Sequence, residues 1–154
     1  MGIVGEQILN QRGLLMSAKL MEYFNKQPRI GTLSTASKEG KVDVAVFGSP
    51  RMTDGKTVVM GLGRNRSLSY LQQNPNAVYM IMEAGTTLTD WKGVRVYLKV
   101  KNIATSGKLL DEYKSQISKI AGEAAAGMIH ATVSFEVEDI RPIVDMGQGW
   151  ESSI

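Results

Sequence analysis

The sequence predicts a mainly β fold, in which an antiparallel sheet of about six short strands closes into a small barrel with helices at its ends. Two long segments, Val94–Val100 and Ile129–Val137, alternate apolar and polar residues with the period of a half-buried strand. Tight turns join most of the other apolar runs, which favours antiparallel neighbours. Helical segments are too few for the strand–helix alternation of a doubly wound sheet. We therefore expect one domain over residues 1–154.

A helix and a hairpin come first. Apolar residues recur at helical spacing over Leu14–Phe24, and Gln27–Pro28 ends this helix. Ile30–Thr35 and Val42–Val46 have the composition of strands, and Ser37–Gly40 has that of a tight turn. The two strands are therefore expected to pair as an antiparallel hairpin.

The middle of the chain contains a strand, a short helix and another strand. Thr57–Leu62 follows the turn Thr53–Lys56 and forms the third strand. The helix begins near Ser67 and ends before Asn74–Pro75, because the residue before a proline is disfavoured in helical geometry. The apolar run Val78–Met82 follows directly and has the length of a strand.

The second half contains the two alternating strands with a helix between them. Lys108–Ile120 returns to helical period through Leu110, Tyr113 and Ile117. Asp145–Ile154 has no periodic pattern, and we expect a loosely ordered tail from about residue 145.

Composition excludes several classes of function. The chain has no cysteine and a single histidine, which excludes disulfides and Cys-ligated metals and argues against a multi-histidine metal site or a Ser-His-Asp triad. The net charge of +3 is too small to favour nucleic acid. The first residues lack the features of a signal peptide, and no apolar run reaches membrane-spanning length. We expect a cytoplasmic protein that carries no metal and is not inserted in a membrane.

Arg64, Arg66 and Ser67 lie at the expected start of the short helix. The first N–H groups of a helix are unpaired and carry partial positive charge, so this position suits an anion such as phosphate. The preceding Gly61 and Gly63 resemble the start of a dinucleotide fingerprint, but Arg66 replaces its third glycine and no parallel strand–helix–strand unit follows. A simpler alternative is a solvated basic turn capped by Ser67.

The polar face of the strand Val94–Val100 is basic. Its side chains are Arg95, Tyr97 and Lys99, and Lys101 follows directly after the strand. Such a face is suited to extending an anion site or to binding nucleic acid, but a solvated face or a subunit contact explains it more simply.

Three other side chains are open to more than one interpretation. His130 lies on the polar face of a strand, where an ordinary hydrogen-bonded histidine is the simpler interpretation. Trp91 and Trp150 lie in a loop and in the tail, where a large ring covers the core or a partner chain, or stacks on a planar ligand.

The order of elements around the short helix is distinctive. Arg66 and Ser67 are followed by a helix that ends in Asn74–Pro75 and then by the strand Val78–Met82. Together with the hairpin before them, these elements resemble the FMN-binding split barrel of the pyridoxamine 5'-phosphate oxidase family. The resemblance covers residues 14–137 and implies an antiparallel, six-stranded split barrel. It also implies a homodimer in which FMN lies in a groove between the two chains.

The resemblance assigns cofactor contacts by position. Arg66 and Ser67 match the residues that hold the FMN phosphate, and Arg64 stands beside them. Arg95 lies near another contact position. Two strand segments complete the implied site: Val46, Phe47, Gly48 and Ser49 along the isoalloxazine, and Met60 and Gly61 beside the ribityl chain.

Two departures from the family limit the activity. In the oxidase, a lysine near the end of the second strand contacts the substrate phosphate, whereas Pro50 stands there in this chain. The tail Asp145–Ile154 also lacks the Arg-x-His segment with which the oxidase grips its substrate. We therefore expect no pyridoxamine phosphate oxidase activity.

Two functions follow from the resemblance. The first is an oxidoreductase in which FMN passes electrons between a reduced nicotinamide and a small acceptor, a chemistry that demands no catalytic side chain. The alternative is a flavin-binding or electron-carrier protein without a substrate of its own. Related split barrels bind a deazaflavin or haem, so these ligands also stay open, as does a basic nucleic-acid-binding module.

Overall fold

The structure is a computed structural model that describes residues 2–87 and 89–154; Met1 and Leu88, both within the predicted domain, lie outside the described residues. The elements are α1 (Gly2–Asn25), β1 (Gly31–Ala36), β2 (Val42–Val46), β3 (Arg51–Met52), β4 (Thr57–Leu62), α2 (Arg66–Gln73), β5 (Asn76–Glu83), β6 (Lys92–Ala104), α3 (Lys108–Ala121), α4 (Glu123–Gly127), β7 (Ala131–Pro142) and the 3₁₀ helix Trp150–Ser153. The mainly β fold with flanking helices is as predicted.

The described strands form one antiparallel sheet of seven, in the order β2-β1-β5-β6-β7-β4-β3. The prediction of six strands in a closed barrel is wrong on both points. The additional strand is β3, whose two residues pair with Val58 and Val59 and are too few to show a period. The edge strands β2 and β3 do not pair with each other among the described residues, so the sheet stays open.

Two bulges between β6 and β7 curl the sheet. Leu98 pairs with Val137 and Tyr97 with Asp139, which leaves Glu138 as an extra residue, and a second irregularity lies between Val100 and Asn102. The inner face of the curled sheet holds the core, to which β1, β4, β5, β6 and β7 contribute buried residues. Fully buried members include Leu33, Met60, Tyr79, Val96 and Phe135.

Helix α1 begins at Gly2 instead of Leu14. Its packing is limited to its last turns, where Leu20 and Phe24 are buried in the core. The earlier apolar residues are exposed, including Leu14, which was expected to pack: Ile3, Val4, Ile8, Leu9, Leu14 and Leu15. Because none of the described residues covers this part of the helix, no buried stripe marks its beginning in the sequence.

The end of the chain is more ordered than its sequence pattern indicates. The 3₁₀ helix Trp150–Ser153 packs beside β6 and β7, and Trp150 contacts the core. The buried Ser153 hydroxyl donates to the Gly93 carbonyl oxygen at 2.7 Å and accepts from the Ile143 N–H at 3.3 Å. The last residues thus close over the start of β6.

Candidate functional site

The predicted anion site lies where β4 leads into α2. The side chain of Asn65 accepts a hydrogen bond from the Leu68 N–H at 2.9 Å and is the N-cap of α2. Ser67 is therefore not the cap, as the simpler alternative supposed; it lies in the first turn and is buried. Since α2 begins at Arg66, the loop Gly63–Asn65 presents its side chains at the helix start.

Arg64 of this loop and Arg66, the first residue of α2, are both exposed and weakly held. Arg66 Nη1 lies 3.6 Å from Asp43 Oδ1 on β2, with 68% of the Arg66 side chain exposed. Arg64 Nε donates to His130 Nδ1 at 3.4 Å. Because the Arg66 end is mostly exposed and the two charges are 3.6 Å apart, this ion pair contributes at most about 1 kcal/mol. The two guanidinium groups are therefore available to an anion at little cost.

The segment Val46–Ser49 lies beside the same end of β4. Strand β3 pairs with β4 only as far as Val59, so Gly61 lacks a strand partner on that side. Ser49 lies on this unpaired side of Gly61, and its Oγ donates to the Gly61 carbonyl oxygen at 3.3 Å. Phe47 continues the hairpin, with its N–H bonded to the Gly31 carbonyl oxygen at 3.0 Å. The segment Val46–Ser49, assigned to the flavin ring, is thus hydrogen-bonded directly to Gly61, which is assigned to the ribityl chain.

Tyr113 of α3 completes this junction and was not assigned to it from the sequence. Its hydroxyl accepts from the Gly61 N–H at 2.9 Å, and a Cβ on Gly61 would stand only 2.5 Å from its ring. Burial raises the pKa of Tyr113, opposed by the Gly61 N–H and by Ser49. The hydroxyl is therefore neutral at physiological pH. The helical period placed Tyr113 on the packed face of α3, but no sequence signal joins it to Gly61.

Two residues assigned to the site do not present their side chains to this junction. The Met60 side chain is fully buried in the core, so only its backbone faces the strand end. Arg95 is held by the Pro142 carbonyl oxygen, the Tyr97 hydroxyl and Asp145 Oδ2, the last at 2.7 Å. Gly61 pairs with the start of β7, whereas Arg95 pairs near its end. The structure therefore does not bring Arg95 to Arg64 and Arg66.

The outer face of the sheet is apolar beside the site. Val42, Val44 and Val46 of the edge strand β2 point outward and are 63–83% exposed. The face continues across β1 and β5 to Tyr97, where an open groove of about 360 Å³ is lined mainly by Ser34, Ala36, Val78, Tyr97 and Glu138. An apolar strip of this kind on an edge strand is characteristic of a surface that pairs with another chain.

Within residues 2–87 and 89–154, no group of three or more His, Cys, Asp or Glu side chains is placed to hold a metal ion. None of the helices in the described part of the chain combines the length and hydropathy that a membrane span requires.

No protein-family model and no curated protein sequence matches the chain. Several solved structures are similar to the chain in fold. An FMN-binding protein from Syntrophomonas wolfei is 21% identical, with a TM-score of 0.67 over 92% of this chain and 95% of that one. A FAD-binding protein from Mesorhizobium loti is 18% identical, with a TM-score of 0.56 over 82% and 90%. The haem storage protein HutZ from Vibrio cholerae is 16% identical, with a TM-score of 0.59 over 84% and 94%.

These TM-scores show likeness of fold. The fold of this chain is similar to that of FMN- and FAD-binding proteins and of a putative pyridoxamine 5'-phosphate oxidase from Lactobacillus delbrueckii, so the resemblance drawn from the sequence is confirmed at the level of fold.

Proposed function

We propose that this protein binds FMN and passes electrons between a reduced nicotinamide and a small acceptor. The observation that carries the proposal is the meeting, at one end of β4, of the segment Val46–Ser49, Gly61 and the cationic segment Arg64–Arg66. In the split-barrel resemblance, these segments are the ones assigned to the ring, the ribityl chain and the phosphate.

The residues fit the phosphate of FMN. A phosphate monoester carries a charge of about −1.5 to −2 near neutral pH, which two guanidinium groups balance. Arg64 and Arg66 are exposed, and their present partners, His130 and Asp43, lie at 3.4 and 3.6 Å. A phosphate can replace both partners, because long, solvated contacts are weak.

The chain's own groups orient and shield the cofactor. FMN supplies the hydride and electron transfer when bound, so the protein needs no acid or base side chain for that step. Ser49 and Tyr113 fix the backbone of Gly61 from two sides. The raised pKa of Tyr113, caused first by burial, keeps its hydroxyl neutral at the site.

The proposal includes a homodimer with the cofactor at the subunit interface. Val42, Val44 and Val46 form an exposed apolar row on β2, directly before the segment assigned to the flavin ring. A two-fold partner that covers this row would bury it and supply the second wall of the groove. Folding and cofactor binding would then support each other.

The competing function is a flavin-binding or electron-carrier protein without a substrate. Steady-state oxidation of reduced nicotinamide by the FMN-loaded protein distinguishes the two. An oxidoreductase turns over many equivalents per site when an acceptor is present, whereas a carrier is reduced slowly and stoichiometrically. Multiple turnovers support the proposal, and a single stoichiometric reduction would assign the carrier function instead.

Haem and deazaflavin remain competing ligands. The visible spectrum distinguishes haem from the other two ligands, because haem has an intense Soret band that flavins and deazaflavins lack. Mass analysis of the released ligand distinguishes FMN from a deazaflavin. Release of either competitor as the resident ligand would overturn the choice of FMN.

A further inference from the structure

Arg29 lies behind the segment assigned to the flavin ring, on its core side. Its guanidinium group lies over the rings of both Phe24 and Tyr79, at 5.1 and 5.5 Å from their centroids, and the two rings are themselves 5.3 Å apart. Its N–H groups donate to the carbonyl oxygens of Phe24, Gly48 and Pro50 and to the Tyr79 hydroxyl. Arg29 thus joins the end of α1 to the loop after β2.

Tyr79 extends this cluster to the next carbonyl. Its hydroxyl donates to the Phe47 carbonyl oxygen at 2.6 Å. To reach that position, the tyrosine side chain passes over Gly31. A Cβ on residue 31 would lie only 1.9 Å from the hydroxyl oxygen, so a glycine is needed there. Together, Arg29 and Tyr79 hold the carbonyl groups of Phe47, Gly48 and Pro50 from one side.

This arrangement determines where the neighbouring N–H groups point. In a trans peptide the C=O and the following N–H point in opposite directions, and both the Phe47–Gly48 and Gly48–Ser49 bonds are trans. Since the carbonyls of Phe47 and Gly48 face the cluster, the N–H groups of Gly48 and Ser49 face away from it. Neither N–H donates to another of the described residues. Two adjacent donors are therefore presented outward.

We infer that Arg29 is a positioning residue of the cofactor site. It fixes residues 47–50 so that the N–H groups of Gly48 and Ser49 meet hydrogen-bond acceptors on the edge of a planar cofactor. This inference rests on the proposed function for the identity of that cofactor. Lysine cannot make the same contacts, because an ammonium group lacks the planar fork with which Arg29 reaches several acceptors while it lies over two rings.

The test compares Arg29→Lys with a control that loosens the same end of α1. Asn25 holds the backbone of Met52 through bonds of 2.8 and 2.9 Å, and among the described residues its side chain makes no hydrogen bond to residues 47–50. Asn25→Ala therefore lowers stability without releasing the segment. Tyr79→Phe removes both the donor to Phe47 and an acceptor of Arg29, and serves if Arg29→Lys does not fold.

Three readouts apply. In the protein without cofactor, ¹⁵N relaxation reports the order of the Gly48 and Ser49 amides. FMN titration gives the affinity, and the reduction potential of bound FMN reports the donors at the ring. We expect Arg29→Lys to make both amides mobile, to weaken FMN binding at least tenfold and to shift the potential, whereas Asn25→Ala leaves all three near wild type.

Two results would overturn the inference: equal losses of FMN affinity in Arg29→Lys and Asn25→Ala, or amides that stay ordered in Arg29→Lys. If the wild-type protein binds no FMN, the proposed function fails, while the relaxation measurement still decides whether Arg29 orders residues 47–50.

Discussion

Replacing Arg66 by alanine removes a single charge from the proposed phosphate site. Arg66 is the first residue of α2, and its guanidinium group pairs with Asp43 at 3.6 Å. The substitution leaves the N-cap bond of Asn65 to Leu68 in place. Alanine is also favourable in a helix. The variant should therefore fold as the wild type does and differ only in binding.

The structure sets the expected magnitude. A charge-assisted hydrogen bond contributes about 1.5–3 kcal/mol. Two features reduce this figure: 68% of the Arg66 side chain is exposed, and binding must displace Asp43, a pair worth up to about 1 kcal/mol. A net loss of about 1–2 kcal/mol corresponds to FMN affinity roughly 5- to 30-fold weaker.

The assay is quenching of flavin fluorescence, measured with FMN and with riboflavin, which lacks the phosphate. Arg66→Ala should weaken FMN binding and leave riboflavin binding unchanged. Asp43→Asn should tighten FMN binding a few-fold, because it removes the competing carboxylate. Arg12→Ala, an exposed arginine on α1, serves as the control for net charge. Equal effects on FMN and riboflavin, or an unchanged FMN affinity, would refute the assignment of Arg66 to the phosphate.

Three further predictions concern other parts of the chain. Tyr113→Phe removes the acceptor of the Gly61 N–H and should cost about 1 kcal/mol of unfolding free energy in urea; an unchanged midpoint would contradict this contact. Hydrogen bonds from Arg141 lower the pKa of Asp145 to about 2, so its contribution to stability is present above pH 4 and is lost as the pH falls towards 2. Asp145→Asn should therefore flatten the decline in stability between pH 4 and 2, and parallel wild-type and variant curves would be the opposing result. Val44→Lys places a charge in the exposed row of β2 and should yield a monomer by light scattering, whereas a persisting dimer would locate the interface elsewhere.

Local sequence signals predicted most of the fold. The alternation in β6 and β7 depends only on which face of a strand meets the core. One face of each strand is turned to the core over most of its length. The bounds of α2 followed from Asn74–Pro75, which stops a helix whatever surrounds it. The continuation of β7 to Pro142 was missed, because the bulge at Glu138 reverses the phase of the alternation.

The candidate site was only partly predictable. Arg64 and Arg66 were found because they are close in sequence and lie at a helix start. Arg29 and Tyr113 were missed, because each reaches the site through tertiary contacts, with Gly48 and Gly61 respectively. Periodicity shows that such residues are packed, but not against which backbone. Arg95 was assigned by position in a family pattern, whereas its side chain is held by Asp145.

The most direct test is a visible spectrum of the purified protein, recorded after incubation with excess FMN and removal of the unbound flavin by gel filtration. The proposed function predicts a flavin spectrum that elutes with the protein at one FMN per chain. A colourless protein after the same treatment would contradict flavin binding at the site that Val46–Ser49, Gly61 and Arg66 form.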